Sequence, residues 1–337
     1  MNTLDLFSGL YCHRLEIRFS PMDDISMNCW IGAVFRNGFL HASSKVCDFD
    51  DNVYLFDKIE SIPLPEGHPY YMQLKGGFPK GFFFDCSNFE DDRKGFSLKK
   101  DRIYSVDLCL IGKTADYYKL FIQAIGQFLL EGFGKPRVPL CLIDVVEKSI
   151  SGDENLLFTE VGEVDSTLMY PISFSQLLDL CKDDSITSIV ELEFKTPVAL
   201  VSPKARGKNN GFQDKLNSFS SFYQFMRSAL YRAYILTMLY VDNTVGTDRE
   251  QSECAIEEYL QKASEAFLIY ANIRYAKLYS TPKKDRDNVY VFGGYVGKLT
   301  FTDVSDIYIP IVRMISYLGI GNDINYGLGM VIGRERE

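Results

Sequence analysis

One order of secondary-structure signals occurs twice along the 337 residues, and that recurrence constrains the fold more than any other feature. Residues 13–20 (HRLEIRFS) alternate polar and apolar side chains and stop at Pro21, the pattern of a half-buried strand ended by a turn. Residues 30–47 (WIGAVFRNGFLHASSKVC) read as a helix that tolerates two glycines. Residues 81–86 (GFFFDC) and 102–112 (RIYSVDLCLIG) read as strands, 115–130 has the helical period, and 140–146 (LCLIDVV) is again a strand. The order β-α-β-β-α-β is the ferredoxin-like arrangement, in which two helices back one face of an antiparallel sheet.

The same order returns in the second half. Residues 188–201 (SIVELEFKTPVALV) form an alternating strand and 219–241 a long helix, with 254–275 as an added helix. Residues 289–302 (VYVFGGYVGKLTFT) read as a strand pair bent at its glycines, 307–318 as a helix and 330–332 as a short last strand. Between the halves, SGDENLLFTEVGEVDSTLMY is acidic and aperiodic, and the helix that follows is capped by Ser173. The expectation is an α+β protein of two tandem ferredoxin-like domains, 1–150 and 187–337, joined by a linker at 151–186 that holds the short helix. A hydrophobic content of 46% suffices for two cores.

Composition narrows the function. The eight cysteines form no CxxC pair, and most stand in apolar runs such as VDLCLIG, so they read as reduced core residues. The three histidines, His13, His41 and His68, form no HxxxH or HExxH pair, so neither a metal nor another cofactor is expected. The absence of a long apolar run and of a basic-then-apolar N-terminus predicts a cytoplasmic protein without membrane contact.

A net charge of −9 excludes a uniformly basic nucleic-acid-binding surface and leaves only local patches. The cleanest patch is PKARGKNNG, with Lys204, Arg206 and Lys208 and no acid; others are Arg93, Lys94, Lys99, Lys100 and Arg102, and Lys283, Lys284 and Arg286. Each run also has the plainer reading of a solvated loop.

Residues 319–329 (GIGNDINYGLG) can adopt positive φ and allow close backbone approach, which turns amides toward a phosphate or simply makes a tight helix-to-strand connection. With FGGYVGKLTF and a helix before it, this segment resembles the C-terminal domain of the CRISPR-associated precursor-RNA-processing endoribonucleases, the Cas-six family of the RAMP superfamily, whose loop reads GxGxxxxxGxG. LEFKTPVAL resembles that domain's first strand, with Thr196 and Pro197 in place. VFRNGFLHAS resembles the family's first-helix motif LRGxFGxAL: Arg36, Phe39 and Ala42 match, while Asn37 and Leu40 replace glycines. LCLIGKTADYYKLFIQAIGQFL is similar to its third strand and second helix.

The resemblance implies metal-independent cleavage of CRISPR repeat RNA, in which a 2′-hydroxyl attacks the neighbouring phosphate and leaves a 2′,3′-cyclic phosphate. His41 stands where members with a catalytic histidine carry it. A helix continuing to residue 47 would present Lys45, at i+4, on the same face. Histidine suits proton transfer near neutral pH and lysine suits phosphate-charge stabilisation. Tyr11 is an extra acid or orienting group by the same resemblance. RNA contacts are expected from Gly319, Gly321, Asn322, Asn325, Gly327, Gly329 and Arg36. Asn322, Asp323 and Met330 replace residues that are commonly basic in the family, so the loop reads as a backbone platform. His13 and His68 read as packing and loop residues. Two other readings remain: a non-catalytic RNA-binding subunit partnered by a CRISPR effector complex, and a protein-interaction scaffold on the same fold.

Overall fold

The computed structural model describes residues 3–75, 77–89, 95–179, 188–200, 221–245, 247–280 and 291–336. In the first unit, strand β1 (Tyr11–Pro21) leads to helix α1 (Ile31–Ser43), strands β2 (Phe82–Asp85) and β3 (Tyr104–Ile111), helix α2 (Tyr118–Glu131) and strand β4 (Leu140–Lys148). The strands lie in the order β4-β1-β3-β2, every pair antiparallel. Alternation on β1 decides which side is core: Leu15, Ile17 and Phe19 are fully buried beneath the helices. Arg14, Glu16 and Arg18 face the other way and pair with Asp107, Lys148 and Asp144. Phenylalanines seal the helix side, with Phe39 stacked on Phe121 at 5.1 Å and Phe35 edge-on to Phe128 at 5.4 Å.

Helix α1 ends at Ser43, four residues before the expected end at 47. The Ser43 and Ser44 hydroxyls donate to the carbonyls of Leu40 and His41, competing for the acceptors that a further helical turn would use. Cys47–Asp48 then pairs with Val53–Tyr54.

Within the segment expected as a linker with a short helix, 151–186, residues 154–173 instead add strands to the first sheet before that helix. Strand β5 (Glu154–Thr159) pairs with β4, β6 (Gly162–Glu163) pairs with β5, and β7 (Ile172–Ser173) pairs with the start of β1; helix α3 (Phe174–Asp179) follows. Added strands cover the outer edge of β4, whose backbone donors and acceptors would otherwise lie open.

The second unit contains β8 (Ser188–Val198), α4 (Phe222–Tyr240), α5 (Arg249–Leu260), β9 (Phe267–Tyr279), β10 (Val291–Val304), α6 (Ile309–Leu318) and β11 (Val331–Arg336). Its order, β9-β10-β8-β11, repeats that of the first unit strand for strand. Two expectations change here. The helix expected at 254–275 ends at Leu260, and FLIYANIRYAKLY, rich in β-branched and aromatic residues, becomes β9. The segment expected as a bent strand pair is one strand, β10, whose partner along its length is β9. No helix among the described residues is long and apolar enough to cross a membrane.

Candidate functional site

The glycine-rich segment connects α6 to β11 and is held from inside. Gly319, Gly321, Gly327 and Gly329 all have positive φ. The amides of Asn322 and Gly329 donate to Ala199 and Pro197 at 3.1 Å, that of Ile320 to Gly329 at 2.9 Å, and that of Met330 to the Thr196 hydroxyl at 2.9 Å. Thr196 and Pro197 are thus the inner partners of the loop. Gly329 has φ +72° and leaves no room for a side chain, since a Cβ would stand 2.2 Å from the Ile320 carbonyl oxygen. The amides of Ile320, Asn322, Gly327, Gly329 and Met330 are committed to protein acceptors. The loop is therefore a rigid joint before it is a phosphate cradle.

That joint meets the first helix. The Trp30 indole donates to the Tyr326 carbonyl at 2.6 Å, and its backbone amide donates to Tyr279 at 2.8 Å. Gly32 lies directly beneath Tyr326, where a Cβ would come within 2.2 Å of the carbonyl oxygen. The Arg36 guanidinium sits 4.4 Å from the Tyr326 ring centre, and Phe292 closes the other side of that ring at 4.8 Å. Gly327 packs on the Phe84 carbonyl at the end of β2. Two motifs almost three hundred residues apart, that of α1 and the glycine loop, form one contact.

His41 occupies the last turn of α1 with its side chain 60% exposed, and its Nε2 lies 3.8 Å from a carboxylate oxygen of Glu131 at the end of α2. Lys45 lies beyond the helix, so the shared-face argument fails as a matter of helix geometry. Its ammonium nevertheless reaches Glu131 at 2.6 Å. Gln127 donates to the same carboxylate at 2.9 Å, and Arg137 approaches at 4.0 Å. The Gln127 hydrogen bond, then the Lys45 ammonium and the nearby His41, hold the Glu131 carboxyl below its ordinary range. An imidazole, an ammonium and a guanidinium thus gather on one carboxylate at an open groove between two helix ends. Glu131 and Arg137 carry no motif in sequence; only the packing of α1 on α2 brings them to His41.

Tyr11 lies at the start of β1, its ring edge-on to His13 at 5.9 Å, and no contact among the described residues joins it to His41 or Lys45. Partial burial, with Asp116 nearby, raises its phenol above the ordinary range. His13 is buried, as expected for its face of β1, and meets the fully buried Glu147 at 2.6 Å. Glu147 also accepts from Asn155 at 2.9 Å and from the amides of Met169 and Tyr170 at 2.7 and 2.9 Å. Burial opposes its ionisation, but these donors together hold the carboxyl below its usual range. The pair ties the added strands to the first sheet. His68 is buried and accepts from the Tyr70 amide at 3.2 Å. Asn325 lies in the single 3₁₀ turn of the glycine loop. Arg93, Lys94, Lys204, Arg206, Lys208, Lys283, Lys284 and Arg286 lie outside the described residues.

Residues 192–331, from β8 through the glycine loop into β11, match the family model described as CRISPR-associated endoribonuclease Cas6. The second unit is thus similar to that family. Residues 10–167 match a second model, AF_1859_N, described as an N-terminal domain. No curated protein matches the chain. Among solved structures, a Cas6 (TTHB231) product complex is 13% identical, with a TM-score of 0.52 over 96% of this chain and 99% of that one. A partial Cas6-RT-Cas1–Cas2 complex is 10% identical, with a TM-score of 0.54 over 98% of this chain and 47% of that one. At such identities the likeness is one of fold, and it is the tandem ferredoxin-like fold seen here. The segment matched by the Cas6 model includes the glycine loop, which meets α1 at Tyr326.

Proposed function

We propose that this protein is a Cas6-type endoribonuclease that cuts CRISPR precursor RNA within its repeats at the exposed ends of α1 and α2, without a metal ion. The observation that carries this reading is the convergence of His41 and Lys45 on Glu131. Neutral His41 takes the proton of a 2′-hydroxyl as that oxygen attacks the adjacent phosphorus. The bond from phosphorus to the 5′-oxygen then breaks, and the leaving oxygen takes up a proton, giving a 2′,3′-cyclic phosphate and a 5′-hydroxyl. The Lys45 ammonium offsets the charge that grows on the non-bridging oxygens. Glu131 positions both groups and must share Lys45 with the phosphate as RNA enters. Arg36 and the loop residues Asn322 and Asn325 contribute RNA contacts beside the joint, and the acidic balance of the chain confines binding to such local sites.

The test is incubation with end-labelled repeat RNA in EDTA. His41→Ala should slow cutting by about 10²–10⁴-fold, the usual worth of a general acid or base, while RNA binding is retained. Cutting that survives the substitution removes His41 from the mechanism, and a requirement for added magnesium contradicts the route. The inward-turned loop amides favour one second reading, a binding subunit that keeps the fold and has lost the chemistry. Wild-type protein that holds repeat RNA uncut would establish it.

A further inference from the structure

The basic residues Lys99 and Arg102 take no part in the His41 groove or the glycine joint, yet they border a cavity. Beyond β2 the chain folds over one end of the first sheet, where Ile25–Met27 pairs with Phe96–Leu98. This ribbon, the turn closed by the Phe89 amide on the Cys86 carbonyl, and the start of β3 surround about 760 Å³. That volume is within the range of small-ligand sites, about 300–1,000 Å³.

The lining has two parts. One wall is aromatic: the half-buried rings of Phe89 and Tyr104 lie parallel, 6.2 Å apart and 17° from coplanar, and Tyr104 is backed in turn by Phe19 at 6.2 Å. The rest is polar: Ser26, Asn28, Asn88 and Ser105 line it, with Arg102 at the exposed rim. Among the described residues, the amide groups of Asn28 and Asn88 have no hydrogen-bond partner and the Arg102 guanidinium has no acidic partner, whereas Lys99 is held by Asp24 at 2.9 Å. An aromatic wall, two unengaged amides able both to donate and to accept, and a cation at the mouth together match a nucleobase with its phosphate.

Position identifies the ligand as part of a strand. Asn88 also lines a second cavity, about 410 Å³, between the two units, together with Arg14, Lys195 and Met330. Met330 directly follows the last glycine of the joint. A single strand crossing the cleft beside the glycine loop would therefore arrive at the first cavity. We infer that this cavity receives one unstacked nucleotide of single-stranded RNA, with its base against Phe89 and Tyr104, its edge read by Asn28 and Asn88, and its phosphate held by Arg102.

This inference rests on the RNA-processing reading, and the experiment separates the two. Fluorescence anisotropy with labelled octamers of A, C and U should show a preference for one base in the wild-type protein. Asn28→Ala combined with Asn88→Ala should erase that preference and weaken the favoured octamer about tenfold, within the span of good base contacts. Arg102→Ala should weaken all three about equally. Cleavage of saturating repeat RNA should keep its kcat in the double variant, with only KM raised. Equal octamer binding by the wild type and a double variant of unchanged melting temperature would overturn the pocket and leave the His41 reading intact. Free mononucleotides binding as tightly as the octamers would overturn a strand-borne ligand. A protein that binds no RNA would overturn both proposals.

Discussion

The two units share one strand order but complete it differently. In the first, β5 and β6 extend the sheet beyond β4, β7 pairs with the start of β1, and the buried Glu147 holds these additions. In the second, the edge strand β9 stays open and carries Phe267, Ile269 and Tyr270 at 63%, 55% and 50% exposure. The first unit gathers its titratable groups where the ends of α1 and α2 come together. The second contributes a backbone joint whose amides are already used. A common topology thus fixes the frame, and the candidate site lies where each unit departs from it: at a helix that stops early, and at a connection held in positive φ by its glycines.

Four experiments test that contrast. The largest effect is expected from Glu147→Ala, which leaves the buried His13 and the part-buried amides of Met169 and Tyr170 without their acceptor; losing one partner of a buried pair costs about 3–5 kcal/mol. Urea denaturation measures it, and a cost below about 1 kcal/mol would mean that the added strands do not depend on this clamp. Next, Gly329→Ala forces a side chain into positive φ against the Ile320 carbonyl, costing about 1–3 kcal/mol from backbone strain alone. Thermal melting should register that loss, and RNA cutting should fall with it; a neutral result would deny the joint its rigidity. A double-mutant cycle between Arg36→Ala and Tyr326→Leu should give a coupling of about 0.5–1 kcal/mol, the worth of a partly exposed cation–π contact. Zero coupling would separate the two motifs.

The smallest effect concerns Glu131. Its carboxyl titrates below the ordinary value of 4.5 when folded, so its contribution to stability is whole above that pH and is lost as pH falls through the lowered value. Because its partners are largely exposed, Glu131→Gln should cost no more than about 0.5 kcal/mol near neutral pH. Melting curves of the variant and the wild type should converge as pH falls below that lowered value, and a gap that widened with acid would reverse the assigned sign.

Much of the frame was legible because strands and helices of this fold alternate with clear periods. Leu15, Ile17 and Phe19 announced the buried face of β1, and the run GFFFDC announced β2. The misread elements are those whose local pattern was outvoted. FLIYANIRYAKLY could continue a helix by hydrophobic content, and it is a strand because β10 offers it a partner along its length. The 154–173 segment looked aperiodic because its strands are short and separated by polar turns, and what holds it is a carboxylate on β4. At the site, His41 was visible from a family motif and Lys45 from its i+4 spacing, but that spacing assumed a helix that ends before Lys45.

By itself the sequence determined the α+β class, the repeated strand order, the likeness of the second unit to one family and the glycines of its loop, since periodicity and positive φ are local properties of the chain. Only the tertiary structure decided that Arg36 rests on Tyr326, that His41 and Lys45 share Glu131, and that Asn28 and Asn88 border one cavity. These are contacts between residues distant in sequence, set by how helices pack on sheets and one unit on the other, and no local pattern encodes that packing.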